Sequence, residues 1–138
     1  MFGTILLAVD GSDHAEHAAA MAVKLATATR DQVVVVHVTE IMVGRAAGPV
    51  ELDGDRQAIE RAKQHAQELE AAGVSAQVEL AHAPIGHVAK VVVEAAEKYG
   101  AGVIVMGSRG RTDLAALVLG SVAHKVLHLS DRPVLIIR

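Results

Sequence analysis

An α/β fold is what this chain's patterning predicts: a doubly wound five-stranded parallel sheet with helices on both faces. Short, continuous apolar runs recur at residues 4–9, 33–38, 103–106 and 134–137, as in strands buried on both faces. Stretches with apolar residues at helical spacing lie between them. The resulting alternation, β-α-β-α-β-α-β-α-β, calls for parallel strands joined by right-handed crossovers.

Thr4-Ile5-Leu6-Leu7-Ala8-Val9 is the first strand, and Asp10-Gly11-Ser12 is its turn. Ser12 suits a helix N-cap, with Asp13 favourable in the first turn. Ala15, Ala18, Ala19, Ala22 and Ala26 form a small-residue face suited to close packing on a sheet. Val33-Val34-Val35-Val36-His37-Val38 is the second strand. Residues 40–52 follow neither period and carry Gly44, Gly48 and Pro49, so they read as a loop. Ile59, Ala62, Ala66 and Leu69 mark an amphipathic helix stopped by Gly73.

Ala76, Val78 and Leu80 alternate with Gln77 and Glu79, which predicts a strand at a sheet edge. Pro84 is read as opening a helix whose apolar face is Val88, Val91, Val92, Ala95 and Tyr99. Strand 103–106 leads into a glycine bend. The last helix is expected to bury Ala115, Val118, Leu119, Val122, Val126 and Leu129. Pro133 starts the final strand.

With 138 residues and no linker or repeat, the chain is expected to form one domain over 1–138. Hydrophobic residues make up 51% and charged residues 21%, a globular composition. The net charge of -3 argues against nucleic-acid or membrane-surface binding. There is no cysteine, which excludes thiol nucleophiles and cysteine-ligated metal and fits a cytoplasmic protein. No apolar run approaches the roughly 20 residues that span a bilayer, and no signal peptide is expected. Phe2 and Tyr99 are the only aromatics, too few for base stacking.

The chemistry concentrates at Val105-Met106-Gly107-Ser108-Arg109-Gly110-Arg111-Thr112. A buried strand meets two glycines and hands over to a helical pattern that carries Gly120-Ser121. Glycines free main-chain N–H groups for a ligand, and a helix start adds unpaired N–H groups and partial positive charge. Together these suit phosphate. A glycine turn alone is equally compatible with tight strand-to-helix packing.

The spacing G-x-x-G, nine residues, then G-S resembles the signature of the universal stress protein family in its ATP-binding branch. Ile5-Leu6-Leu7-Ala8-Val9-Asp10-Gly11-Ser12 resembles that family's first strand and turn. Val36-His37-Val38 resembles its second strand end, and Arg132-Pro133-Val134-Leu135-Ile136-Ile137 its closing strand. The resemblance implies strand order 3-2-1-4-5, as in adenine-nucleotide alpha hydrolase-like proteins. It also implies that Met106, Gly107, Gly110, Gly120, Ser121 and Val122 line ATP, while Ala8 and Val38 contact ribose and adenine. Ala8 stands where the family often has proline, which matters little for a backbone contact. In such sheets ligands sit where the winding reverses, beyond the carboxyl ends of the strands.

The candidate binding set is therefore Ala8, Val9, Asp10, Val38, Met106, Gly107, Ser108, Arg109, Gly110, Gly120, Ser121 and Val122. Asp10 reads either as a partner for ribose hydroxyls or for a Mg2+ bridging phosphates, or as an Asp turning the chain beside Gly11. Arg109 and Arg111 either fork onto phosphates or stay solvated. His124 and His128 lie four apart but lack an H-E-x-x-H motif, and with His14 and His17 read as surface histidines. His37 reads as a hydrogen-bonded core residue.

No catalytic residue is assigned. Neither the lysine of a G-x-x-x-x-G-K-[ST] loop nor a kinase-type catalytic pair is present, so any ATP hydrolysis should be slow. A dinucleotide dehydrogenase would need G-x-G-x-x-G after the first strand, and a receiver an acidic pair; neither occurs. A flavin carrier would lack aromatics to sandwich the ring. The competing function is an interaction module of the same fold without a nucleotide. A homodimer through the apolar C-terminal strand is expected, since an exposed apolar edge invites pairing.

Overall fold

The computed structural model describes residues 1–44, 48–51, 55–109 and 119–138. In order, the elements are β1 (Thr4–Ala8), α1 (Asp13–Thr29), β2 (Gln32–Gly44), β3 (Gly48–Glu51), α2 (Asp55–Ala71), β4 (Ala76–Pro84), α3 (Val88–Lys98), β5 (Val103–Gly107), α4 (Ser121–Leu129) and β6 (Val134–Ile137).

β1 is central. It pairs in parallel with β2 and with β5, so Leu6 lies beside both Val34 and Ile104. β4 adds outside β2 and β6 outside β5, both parallel. Counting the five parallel strands alone, their order is 3-2-1-4-5. Side-chain alternation then builds two cores. Ile5, Leu7, Val33, Val35, Val103 and Val105 pack against the alanine face of α1 and against Ala62, Ala66 and Leu69 of α2. Leu6, Val34, Val36, Ile104 and Met106 pack against α3 and α4 on the other face. Each Val, Leu or Ile buried completely contributes about 1.5–3 kcal/mol, and most of the central strands' side chains are below 2% exposed.

Three local expectations need correction. Residues 40–52 are not simply a loop: β2 runs on to Gly44, and β3 pairs back on it antiparallel, Ile41 opposite Glu51 and Gly44 opposite Gly48. The glycines and Pro49 hid a hairpin whose arms are held by backbone pairing. Ile41 also pairs with Pro84 of β4. β4 and β3 therefore take opposite edges of β2, which puts β3 on the side where β1 has already ended.

Pro84 closes β4 instead of opening α3. A proline is tolerated there because the strand is at the sheet edge. The chain then turns, with the His87 N–H donating to Pro84 O at 3.0 Å, and α3 begins at Val88. Finally, Leu129 is 56% exposed. α4 buries Ala123 and Val126, three apart, with Leu119 and Val122 partly covered. Ala115 and Val118 lie outside the described residues.

Candidate functional site

The site is built at the carboxyl ends of β1 and β5, beside the middle of β2, where the winding reverses. Ala8 pairs with Val36 on one side and Met106 on the other. Val38, Met106 and the partly buried Ala8 and Val122 belong to one apolar cluster on the α3/α4 face. Val9 points to the opposite core and extends the ladder one step, its N–H donating to Val36 O at 3.0 Å.

Asp10 follows. Its Oδ1 accepts the Ser12 N–H at 2.9 Å, so the carboxylate shapes the turn itself. Ser12 Oγ then accepts the Ala15 N–H at 3.3 Å and caps α1. Gly11 has φ +82°, and a Cβ there would stand 2.9 Å from the Ala58 Cβ. Both the backbone and α2 therefore require glycine at this position. Arg61 of α2 donates to the Gly11 carbonyl.

β5 ends at Gly107, opposite Ile137. The Ser108 N–H donates to Ile137 O at 2.8 Å, and the Ser108 carbonyl accepts the Gly120 N–H at 2.7 Å. That last bond brings the start of α4 directly beside the exit of β5. The sequence reading had Gly120-Ser121 riding on a helix begun at the bend. Here Gly120 is the N-cap of α4 and Ser121 its first residue, and no side chain among the described residues caps it. A Cβ on Gly107 would lie 3.0 Å from His14 O, so this glycine admits the first turn of α1. Arg109 is partly buried. Gly110 and Arg111 lie outside the described residues.

The arrangement thus gathers Ala8, Val38, Met106, Ser108, Gly120, Ser121 and Val122 near the carboxyl ends of β1 and β5. The start of α4, which no side chain among the described residues caps, supplies N–H groups, a donor set that fits phosphate oxygens. Among the described residues, no group of three or more His, Asp or Glu is placed to hold a metal ion. His124 and His128 are exposed on α4, their rings stacked 5.5 Å apart.

Two features escaped the sequence reading. His37 is buried as expected, but its partner is Asp55, the first residue of α2, at 3.1 Å. Nothing local links residues 18 apart across a segment without periodicity. His65 is also buried, flanked by Glu16 Oε1 at 3.5 Å and Glu68 Oε2 at 3.7 Å. Its spacing from Ala62 and Leu69, on the apolar face of α2, was the available signal. A shallow groove of about 420 Å³ lies at the other end of the sheet, lined by Arg30, Asp31, Gln32 and Ser75 among others. It contains none of the candidate residues.

The comparisons with known proteins agree with this fold. The universal stress protein family profile matches residues 1–138. A Thermus aquaticus universal stress protein is 38% identical over the full length of both chains. The solved universal stress protein from Archaeoglobus fulgidus superposes with TM-score 0.78 at 27% identity, covering all of both chains. Solved universal stress proteins in complex with cAMP and with dAMP superpose at TM-scores of 0.73 and 0.70, each 22% identical. The first covers 99% of this chain and 97% of its own, the second 100% and 98%. The chain belongs to the universal stress protein family.

Proposed function

We propose that the protein binds an adenine nucleotide, ATP, and acts as a nucleotide-dependent regulator in the stress response, with at most slow hydrolysis. The observation that carries this reading is the Ser108–Gly120 hydrogen bond. It sets the start of α4 beside the ends of β1 and β5. The N–H groups of Ser121 and Val122 and the Ser121 hydroxyl face a triphosphate there. Ala8 and Val38 take the ribose and adenine, and Asp10 acts on the ribose or, indirectly, on Mg2+. Relatives of the same fold that hold cAMP and dAMP are in keeping with this, though at 22% identity they speak for the fold alone. Gly110 completes the loop in this reading. Gly107 has a packing duty of its own, against His14, so it is the position where an interaction module without nucleotide would also keep glycine.

A single domain over 1–138 carries the function. It works in the cytoplasm as a homodimer through β6, without nucleic acid or membrane. No helix among the described residues is long and apolar enough to cross a membrane.

The test is a fluorescent ATP titration of wild type and Ser121→Glu. An acidic residue at the first position of α4 favours the helix dipole and spares the fold, yet repels phosphate. Wild type should saturate. Ser121→Glu should bind at least about tenfold more weakly, the loss of a charge-assisted contact or two. Equal affinity in the two proteins would remove the triphosphate from α4.

A further inference from the structure

The geometry points to His37 and Asp55 as a buried imidazolium–carboxylate pair that positions the Asp10 turn against β2 and α2. This assignment deepens the nucleotide-site reading and, for its effect on ligand, rests on it.

The argument begins with counting protons. His37 Nδ1 lies 3.1 Å from the Val9 carbonyl oxygen, and Nε2 lies 3.1 Å from Asp55 Oδ1. The two side chains are 1% and 4% exposed. A carbonyl oxygen only accepts, and so does an ionised carboxylate. Both bonds can form only if the pair holds two protons between them. Imidazole is ordinarily the stronger base of the two, so both protons belong on the ring. A neutral imidazole beside a carboxylate would leave one nitrogen's lone pair facing an acceptor, in a place water does not reach.

The second part is what the pair connects. Val9 immediately precedes Asp10, whose carboxylate holds the Ser12 N–H. Asp55, Ala58 and Arg61 occupy successive turns of α2. Ala58 lies under Gly11, and Arg61 donates to the Gly11 carbonyl. The first turns of α2 are therefore a seat for the β1–α1 turn, and His37 ties that seat to the middle of β2, next to Val38. A charge-assisted bond at this junction fixes the height and tilt of Asp10 relative to the site. His37 is a positioning residue, one step behind the residues proposed to touch nucleotide.

The test uses the full chain without ligand first. A long-range ¹H–¹⁵N spectrum at neutral pH should show both His37 ring nitrogens protonated. One nitrogen at a lone-pair shift overturns the assignment. Asp55→Asn keeps the shape and removes the charge. It should leave His37 with one ring proton, speed exchange of the Ser12 amide, and weaken ATP binding about tenfold through misplacement of Asp10. A cooperatively folded Asp55→Asn with unchanged Ser12 exchange and ATP affinity would refute the positioning role. If that variant fails to fold, the wild-type ring spectrum decides. If wild type binds no ATP, the nucleotide reading falls, while the ring spectrum and Ser12 exchange still decide between pair and no pair.

Discussion

Single residues in this chain do work that their neighbours in sequence do not announce. Asp31 gathers the start of β1. Its Oδ1 accepts from the Met1 ammonium and the Gly3 N–H, both at 3.0 Å, and its Oδ2 from the Phe2 N–H at 2.8 Å. Burial alone would push its carboxyl upward. Hydrogen bonds from Thr29, Phe2, the N-terminal ammonium and Gly3 outweigh that and hold it well below the usual carboxylate range. A carboxyl depressed in the folded state adds stability above its unfolded value and loses it as pH falls through the folded one. Asp31→Asn should therefore cost about 1–3 kcal/mol near neutrality, from three donors with poorer partners. The deficit should narrow as the pH drops below about 4. Urea melts at neutral and acidic pH measure it, and a deficit that does not change with pH would contradict the assignment.

At the scale of elements, α3 is fastened to the edge strand β4 by a small polar cluster. Glu79 accepts from Lys98 Nζ at 2.9 Å and from the Tyr99 hydroxyl at 2.7 Å. The Lys98 bond and then the Tyr99 bond lower the Glu79 carboxyl, and the same Glu79 bond raises the Tyr99 hydroxyl. Tyr99→Phe should cost about 1 kcal/mol in a denaturant melt, the net worth of one hydrogen bond. It should also let the Glu79 carboxyl titrate closer to its ordinary value, read by ¹³C NMR. An unchanged Glu79 titration would show that Tyr99 contributes nothing there.

Elements also separate what the sequence discloses from what it hides. β1, β2 and β5 were legible because valine and isoleucine runs buried on both faces have few other uses. The alanine face of α1 was legible for the same reason. β3 was not, since Gly48 and Pro49 argue for a turn and only the pairing with residues 41–44 makes them a strand. Pro84 fits a helix start and a strand end equally well, and the edge position of β4 decides. Within the site, Ala8 and Met106 could be placed by strand ends, whereas Val38, expected to close its strand, lies in the middle of β2. The contact of Gly107 with His14 and the pairing of His37 with Asp55 are tertiary facts with no local mark.

For the molecule as a whole, the two outer strands of the parallel sheet, β4 and β6, differ. β4 carries Glu79 bound to Lys98, a charged edge that discourages pairing. β6 is Val134-Leu135-Ile136-Ile137, with Leu135 37% exposed. Such an edge is a template for another strand, and a second copy of β6 matches it by symmetry. Sedimentation velocity should find a dimer at micromolar concentration, converted to monomer by Leu135→Lys. A wild-type monomer at tens of micromolar would be incompatible with that edge pairing.

The proposed dimer and the turn below Asp10 would gain their meaning from one proposed property, ATP binding at the ends of β1 and β5. Isothermal titration of the ligand-free protein with ATP and Mg2+ measures it directly. The account expects saturation at one nucleotide per chain, sharply reduced in Ser121→Glu. No saturable heat up to millimolar ATP, from protein shown to be folded and free of co-purified nucleotide, would contradict it.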